Sequence, residues 1–287
     1  MDRVRRRIGD KRVLTLVKAF LKAGILEEDG QLRDNDTGTP QGSILSPLLS
    51  NVALSVLDEF VAQQPGGPRT GPVERAKRRR HGLPNHRLIR FADDWCLVIS
   101  GTRSDAEALK EKITGALATM GLRLSPDKTL ITHIDEGLDF LGWRIQRHRK
   151  RGTGKRYVYT YPAKKSLLAI TARVKMICRM SRNKPLAALI HQLNPVLRGW
   201  CVHFRPGVSS RTFAYLRKVV WRQVMHWLRR KHGNGLLAAW KDIRRRYCDG
   251  GWWPHDGEVK LYNPGRVRTT RYSYRGTRIP SPWPNAA

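Results

Sequence analysis

The stretch Arg90-Phe91-Ala92-Asp93-Asp94, followed at once by Trp95-Cys96-Leu97-Val98-Ile99, decides how this chain is interpreted. Two adjacent acids interrupt an apolar run of the kind that normally forms a buried strand. Neighbouring side chains on a strand point to opposite faces, so the acids fit best at the turn of a tight hairpin between Leu88–Phe91 and Trp95–Ile99. The pair has two interpretations at this point. It is either a solvated turn, where aspartate is common, or a site for a hard cation such as Mg²⁺.

The charge of the chain is far from balanced. Its 287 residues include 55 Lys and Arg against 23 Asp and Glu, a formal net charge of +32. Residues 1–150 carry 26 basic and 19 acidic side chains, whereas residues 151–287 carry 29 basic and 4 acidic ones. A field this strong and one-sided attracts a polyanion and repels itself without one. The composition therefore argues against an ordinary metabolic enzyme and favours nucleic acid as the partner.

Membrane and secretory functions find no support in the sequence. No apolar run approaches the ~20 residues that a spanning helix needs, and the first ten residues lead into no apolar segment of a signal peptide. The cysteines Cys96, Cys178, Cys201 and Cys248 lack C-x-x-C spacing, so neither a zinc site nor a disulfide framework is indicated. We expect a cytoplasmic, reduced chain without membrane attachment.

The first half of the sequence predicts helices and strands that alternate around a single sheet. The predicted helices cover residues 11–23, the stretch from Ser46 towards Pro65, and residues 106–120; the predicted strands cover 130–134 and 140–145. Pro47 fits the first position of its helix, and Ser104 and Asp105 supply helix-start chemistry for the last one. The basic run at 75–80 is predicted to be an exposed loop, either solvated or in contact with phosphates.

The second half is helical in pattern from Ser166 to Tyr247. Two apolar stripes begin after Pro185 and after Ser209 or Ser210, and a third includes Leu236 and Trp240. Together they predict a bundle of three or four helices, in which the tryptophans belong to the core rather than to base-stacking surfaces. Basic residues between the apolar positions of the second stripe are candidates for RNA binding. They are Arg217, Lys218, Arg222, Arg229 and Arg230.

Two further segments carry residues suited to a substrate site. The stretch Gly38–Asn51 is a Gly/Pro loop that runs into a helix. Within it, Gly42 would let a substrate approach the backbone, and Gln41 offers both a donor and an acceptor. Lys128 follows Pro126-Asp127 at a predicted loop-to-strand junction, where its ammonium could meet a triphosphate. An ordinary surface lysine is the alternative.

The order and the residues of these segments resemble the reverse transcriptases, specifically the group II intron reverse transcriptase/maturases. Pro40-Gln41-Gly42 with Ser46-Pro47-Leu48 is similar to motif B, Phe91-Ala92-Asp93-Asp94 to motif C, and Leu124–Thr129 to motif D. Phe140–Trp143 is similar to the strand that leads to the thumb, and Leu193–Trp200 to the maturase-specific domain X. Arg271–Pro280 is similar to the tails of some bacterial members.

This resemblance implies an RNA-directed DNA polymerase and intron maturase. In that family two Mg²⁺ ions align a primer 3′-hydroxyl with a dNTP. Asp93 would be a metal ligand and Asp94 a ligand or its close support. Pro40, Gln41 and Gly42 would line the nucleotide pocket, and Lys128 would face the triphosphate or assist the leaving pyrophosphate. The implied partners are group II intron RNA, an RNA template with a DNA primer, and dNTP, in a bacterial-type cytoplasmic ribonucleoprotein.

One part of the family pattern is not found in the sequence. The family holds its metals with a further aspartate from motif A, preceded by the fingers. Asp2 and Asp10 are the only acids near the start, and neither is a convincing substitute. We therefore expect a C-terminal portion of a longer protein, polymerase-deficient by itself unless an N-terminal reverse transcriptase fragment acts in trans. Two alternatives remain open: an RNA-binding splicing cofactor without catalysis, and a non-functional gene fragment.

The expected fold class is α+β. We expect a truncated reverse transcriptase palm over residues 1–162, a helical thumb and maturase domain X over 163–249, and a basic C-terminal tail over 250–287. The tail is expected to be extended, and either to contact RNA or to be disordered in its absence.

Overall fold

The computed structural model describes residues 1–23, 25–26, 32–33, 45–233, 240–249 and 252–270. Within these ranges the chain forms helices and small antiparallel sheets, so the mixed α and β class is as predicted. Contacts between residues divide it into two units, Met1–Ile131 and a second unit that begins at Thr132. Pro40-Gln41-Gly42, Leu236 and Arg271–Pro280 lie outside the described residues.

The first unit contains nine elements within its described part. In chain order they are α1 (Asp2–Arg5), α2 (Lys11–Lys22), β1 (Ile25–Leu26), β2 (Leu32–Arg33), α3 (Ser46–Gln63), α4 (Pro72–Arg80), β3 (Asn85–Phe91), β4 (Asp94–Ser100) and α5 (Arg103–Ala118). Strand β1 pairs with β2, and β3 with β4, both antiparallel. The predicted helix with Pro47 in its first turn is confirmed as α3.

Helices α3 and α5 form an apolar core beneath the β3–β4 hairpin. Leu57 and Val61 of α3 and Ile113 of α5 are completely buried. The hairpin packs on them through one face only, which carries Leu88, Trp95, Leu97 and Ile99. Because side chains alternate along a strand, the other face of the hairpin points away from this core.

The start of α5 is fixed by a capping box. The hydroxyl of Thr102 accepts the backbone N–H of Asp105, whose carboxylate accepts the N–H of Thr102 in return. This reciprocal pair satisfies two donors that the first turn of a helix leaves unpaired. The helix therefore begins at Arg103, slightly before its predicted start.

Three local predictions for these segments are wrong. The basic run at 75–80 belongs to helix α4, because Pro72 opens the helix, Glu74 lies in its first turn, and Arg and Lys are good helix formers. Residues 130–134 form no strand. In this segment one strand-like backbone bond is made, from the Arg147 N–H to the Ile134 carbonyl (2.9 Å). The described strands form separate small sheets rather than a single one.

The second unit is mostly helical. Its described elements are β5 (Leu138–Phe140), β6 (Trp143–Arg149), β7 (Arg156–Pro162), α6 (Lys164–Met180), α7 (Leu186–Phe204), α8 (Ser210–Lys231), α9 (Trp240–Tyr247), β8 (Cys248–Asp249), β9 (Trp253–Asp256) and β10 (Val259–Lys260). A 3₁₀ turn follows at Pro264–Arg266. The two apolar stripes predicted after Pro185 and after Ser209 are confirmed as α7 and α8.

One apolar core joins the helices of this unit. Fully buried residues include Leu189 and Leu197 of α7, Leu216 and Leu228 of α8, and Ile243 of α9. The tryptophans at positions 200, 221, 227 and 240 pack at or within this core, as predicted for the helical region, and Trp143 and Trp253 pack against it as well. Trp252 is the exception, with 60% of its surface exposed.

The strand predicted over 140–145 is divided by a tight turn. Phe140 pairs with Trp143, and the two residues between them, Leu141 and Gly142, have φ values of +49° and +81°. Hairpin turns of two residues require this left-handed backbone, which glycine adopts without strain. The result is a three-stranded sheet with β6 in its centre.

Residues 252–270 pack on the helices instead of extending away from them. The side chain of Asn194 in α7 donates to the Lys260 carbonyl and accepts the Tyr262 N–H, at 2.9 and 2.7 Å. Leu261 is buried, and the Asp256 carboxylate accepts the N–H of Ala187 at the start of α7. The expectation of an extended tail is therefore wrong for these residues. No helix in the described part of the chain is both long and apolar enough to cross a bilayer.

Candidate functional site

Asp93 and Asp94 stand at the tip of the β3–β4 hairpin, where the sequence predicts them. Phe91 pairs with Asp94, so Ala92 and Asp93 form the two-residue turn. Ala92 has a φ of +54°, a left-handed conformation that costs an alanine about 1–2 kcal/mol. The turn is therefore held in a conformation that its sequence does not favour, and other contacts must stabilise it.

Arg90 provides that stabilising contact. Its guanidinium lies on the inner face of the hairpin and forms a forked pair with Asp58 of α3, with nitrogen–oxygen distances from 2.6 to 3.1 Å. The remaining nitrogen, Nη1, donates to the Asn51 side chain (2.7 Å) and to the carbonyl of Ala92 (2.9 Å). Hydrogen bonding to Asp58 raises the pKa of Arg90. The aspartate turn is thereby tied to α3 through one side chain.

A cavity of about 310 Å³ lies beside this network. It is lined by Arg3, Arg6, Arg7, Asn51, Val52, Ser55, Glu59 and Arg90. Arg3 is neutralised by a two-point pair with Glu59 (2.9 Å for both bonds), and the hydrogen bond from Arg3 lowers the pKa of Glu59. Arg6 and Arg7 make no ion pair within the described residues. The cavity thus offers uncompensated positive charge next to the aspartate turn.

The donor set at the turn fits a hard divalent cation. Both carboxylates are exposed, and neither forms an ion pair within the described part of the chain. Mg²⁺ is usually held by one or two carboxylates, with water and substrate phosphates filling its other positions. The described residues contain no cluster of three or more His, Cys, Asp or Glu around a common point. Asp2 pairs with Arg5, and Asp10 caps α2 through the N–H of Arg12.

Lys128 lies in an exposed turn rather than at the edge of a strand. The Ser125 carbonyl accepts the N–H groups of Lys128 and Thr129, at 3.2 and 3.0 Å. Because residues 130–134 form no strand, the predicted loop-to-strand junction is absent. Among the described residues, no hydrogen bond or ion pair joins Lys128 to Asp93 or Asp94. The motif-B residues Pro40, Gln41 and Gly42 lie outside the described residues.

A second candidate site is a groove of about 980 Å³ between α6 and α8. Its lining residues are Lys175, Cys178, Arg179, Arg182, Asn183, Gln223, His226, Trp227, Arg230 and Lys231. This set contains five cationic side chains and, within the described residues, no carboxylate. We call it the basic groove. Such a concave, uncompensated positive surface is suited to phosphate groups.

The basic groove includes one of the five predicted RNA-binding residues. Arg230 lines it, whereas the other four are exposed elsewhere on α8. Arg217 and Arg229 lie over the rings of Trp253 and Trp240, with distances to the ring centroids of 5.6 and 5.9 Å.

The α6 cations of the groove were missed by the sequence reasoning. Lys175 and Arg179 lie four positions apart on one face of α6, and Arg182 follows just after the helix ends at Met180. This spacing is the signal in the sequence that indicates a basic face. The sequence does not indicate that α8 lies opposite that face.

Comparison with known families now identifies the two parts of the chain. Residues 3–145 match the model of the reverse transcriptase (RNA-dependent DNA polymerase) family. Residues 167–248 match the group II intron, maturase-specific domain. The chain is thus of the reverse transcriptase class. With both domains in this order, it belongs to the group II intron reverse transcriptase/maturases, a family that uses divalent metal ions.

The curated relatives of this chain include a protein named as group II intron-encoded. Protein YkfC of Escherichia coli K12 is 36% identical over 180 residues, which cover 58% of this chain and 47% of that protein. Group II intron-encoded protein LtrA of Lactococcus lactis subsp. cremoris is 31% identical over 52% of this chain and 32% of its own length. An uncharacterized 91 kDa protein in the cob intron of Schizosaccharomyces pombe is 29% identical over 67% of this chain and 28% of its own. The chain spans less than half the length of each of these relatives.

Proposed function

We propose that this chain functions as a group II intron maturase and forms part of an RNA-directed DNA polymerase. Its helical unit binds intron RNA, and its Asp93-Asp94 turn contributes to the polymerase metal site. The observation that supports the maturase role best is the basic groove. It lies in the segment that matches the maturase-specific domain, and it collects five cations with no acid among its described lining residues.

The groove suits a folded RNA because its charge is concentrated and concave. Lys175 and Arg179 approach from α6, Arg182 from the turn that follows it, and Arg230 and Lys231 from α8. Cations on two rigid helices can contact phosphates of two strands or of a bent backbone. Each neutralised phosphate releases counterions, so binding must weaken steeply with salt.

A salt titration with matched variants tests this role. The probe is the group II intron RNA that flanks the coding sequence. In Arg179→Gln and Arg230→Gln we expect the slope of log affinity against log salt to fall in magnitude by up to about 0.9 for each phosphate that the variant no longer neutralises. Lys165→Gln is the control, because Lys165 is exposed on α6 but does not line the groove. Equal slopes for groove and control variants would contradict the assignment.

For the polymerase role we propose that Asp93 binds Mg²⁺ and that Asp94 binds or supports it. When bound, the metal would stabilise the attacking and leaving oxygens of nucleotidyl transfer. The protein's own part is to orient these carboxylates, which Arg90 does by fixing the Ala92 carbonyl to α3. Lys128 is proposed to face the triphosphate, with Pro40, Gln41 and Gly42 at the nucleotide. Template RNA, DNA primer and dNTP are the proposed substrates.

Primer extension on an RNA template tests the polymerase role. The tip of the β3–β4 hairpin carries two adjacent carboxylates, whereas the family resemblance implies a third from motif A. We therefore expect the polypeptide of residues 1–287 to extend a primer weakly at most, and a separate fragment carrying motif A to restore synthesis. Asp93→Asn should abolish the restored synthesis. Robust Mg²⁺-dependent synthesis by residues 1–287 alone would overturn the expected deficiency, and full activity of Asp93→Asn would overturn its metal role.

The domain layout is part of the same proposal. We assign the palm to residues 1–162, the thumb and domain X to 163–249, and the C-terminal segment to 250–287. The chain would then act with intron RNA in a cytoplasmic ribonucleoprotein.

A further inference from the structure

Three tyrosines stand in a row on strand β7. Tyr157, Tyr159 and Tyr161 occupy alternate positions, so all three side chains lie on one face of the sheet. Their cross-strand partners on β6 are His148, Gln146 and Arg144. This tyrosine face therefore combines aromatic rings with hydrogen-bonding and cationic side chains.

The packing of the sheet on the helices uses the opposite face. Trp143, which belongs to that face, contacts the ring of Phe204 in α7 with centroids 4.8 Å apart. Gly207 approaches Trp143 so closely that a Cβ there would collide with the indole. On the tyrosine face, by contrast, Tyr157 is 44% exposed and Tyr159 and Tyr161 are half-buried. The rings are thus accessible from solvent.

The tyrosine face is held in place by its own contacts. The hydroxyl of Tyr161 donates to the side chain of Gln146 (2.7 Å), whose amide donates to the Asp135 carbonyl (2.8 Å). The His148 ring lies 6.1 Å from the centroids of both Tyr159 and Tyr161. Among the described residues no hydrogen bond is made by the Tyr157 and Tyr159 hydroxyls. Tyr159 and Tyr161 are thus held by neighbouring side chains, and an exposed aromatic surface of this kind is suited to a ligand that stacks.

The charge of the β6–β7 hairpin indicates which kind of ligand the tyrosine face would bind. Residues 143–162 contain seven Lys and Arg and no Asp or Glu. Four of these cations stand at the exposed tip and pair with no carboxylate in the described part of the chain: Arg149, Lys150, Arg151 and Lys155. A protein partner would need a matching acidic and apolar surface, whereas a nucleic acid supplies both planar rings and phosphates.

We propose that the tyrosine face is a binding site for single-stranded nucleic acid, with bases stacked on Tyr157, Tyr159 and Tyr161 and phosphates at the basic tip. Alternate strand positions are about 6.8 Å apart, twice the 3.4 Å spacing along one strand of a duplex. Bases that occupy successive tyrosines must therefore be separated from one another. A duplex, whose bases are already stacked on one another, cannot place its bases on successive tyrosines.

The test measures the affinity of a labelled 12-nucleotide strand, as RNA and as DNA, and of the same sequence as a duplex, in about 0.3 M salt. Stacking on one aromatic residue contributes 1–3 kcal/mol per base, so Tyr157→Ala and Tyr159→Ala should each weaken single-strand binding roughly 5- to 150-fold. Tyr157→Phe keeps the ring and should stay within about twofold. Val158→Ala is the control, since Val158 is 56% exposed on the opposite face. Duplex binding should not respond to the tyrosine changes.

Two further readouts separate stacking from charge. The tyrosine variants should keep the salt slope, while Lys150→Gln and Arg151→Gln should reduce its magnitude by about 0.7 for each phosphate that is no longer neutralised. A 4-thiouridine strand should crosslink within residues 156–162. Alanine variants that bind both strands as tightly as Val158→Ala, or crosslinks confined to other segments, would overturn the proposal. Such a failure would leave the groove variants and their effect on intron RNA untouched, so the two sites are tested separately.

Discussion

Arg90→Met is the change that bears most directly on the geometry of the aspartate turn. It removes the forked pair with Asp58 and the bonds to Asn51 and Ala92 while keeping most of the side-chain volume. The paired side chains are only 14% and 21% exposed, so water compensates little for the loss. A hydrogen bond to a charged group contributes about 1.5–3 kcal/mol. Because Arg90→Met also leaves the Asp58 carboxylate unpaired, we expect the local free energy of unfolding to fall by about 2–4 kcal/mol in total.

Hydrogen exchange by mass spectrometry measures this loss locally. A loss of 2–4 kcal/mol should accelerate exchange in peptides covering 85–100 by roughly 30-fold or more. Arg103→Met is a matched control, since Arg103 forms an exposed pair with Glu107 (76% and 53% exposed) that contributes at most about 1 kcal/mol. A double-mutant cycle with Asp58→Leu should yield a coupling of about 1–3 kcal/mol. If Arg90→Met perturbs exchange no more than Arg103→Met, the anchoring role of Arg90 is refuted.

Three further predictions follow from burial. Burial lowers the pKa of His86 in the folded chain below its unfolded value near 6.5. The neutral imidazole therefore stabilises the fold above that pH, and this stabilisation is lost as pH falls below it. His86→Gln should accordingly flatten the decline in melting temperature of the first unit between pH 7 and 5. Burial also raises the pKa of Cys178 to about 11 and of Cys201 to about 12, so iodoacetamide at pH 8 should label both far more slowly in the native than in the denatured chain. Gly207→Ala should destabilise the second unit by about 1–3 kcal/mol in urea melts, because the added methyl collides with Trp143, whereas Gly199→Ala, which meets nothing within 4 Å, should not.

Local pattern was sufficient to predict the elements that carry their own apolar periodicity. The hairpin around Asp93, helix α3 after Pro47 and the stripes of α7 and α8 are all confirmed. In each case the residues that pack together are close in sequence or repeat at a fixed spacing, so the period alone identifies the buried face.

Features that depend on distant partners could not be predicted in this way. Residues 130–134 have a strand-like pattern but make one strand-like backbone bond, from the Arg147 N–H of β6 to the Ile134 carbonyl, whereas a strand needs a ladder of such bonds to pair its backbone groups. The pair between Arg90 and Asp58 joins residues 32 positions apart. The basic groove joins α6 to α8, and only the α8 side was proposed from sequence. Helix α4 was missed for a different reason, because its charge masked a sequence of good helix formers.

Splicing of the flanking group II intron RNA at low Mg²⁺, where the RNA reacts slowly without protein, tests the maturase assignment most directly. The measured quantity is the splicing rate with the chain and with its variants. We predict acceleration by the wild-type chain, loss of most of it in Arg179→Gln/Arg230→Gln, and full retention in Lys165→Gln and in Asp93→Asn. Equal acceleration by the groove variant and the wild type would contradict the assignment of RNA binding to the basic groove. Loss of acceleration in Asp93→Asn would contradict a role of the aspartate turn that is confined to the polymerase.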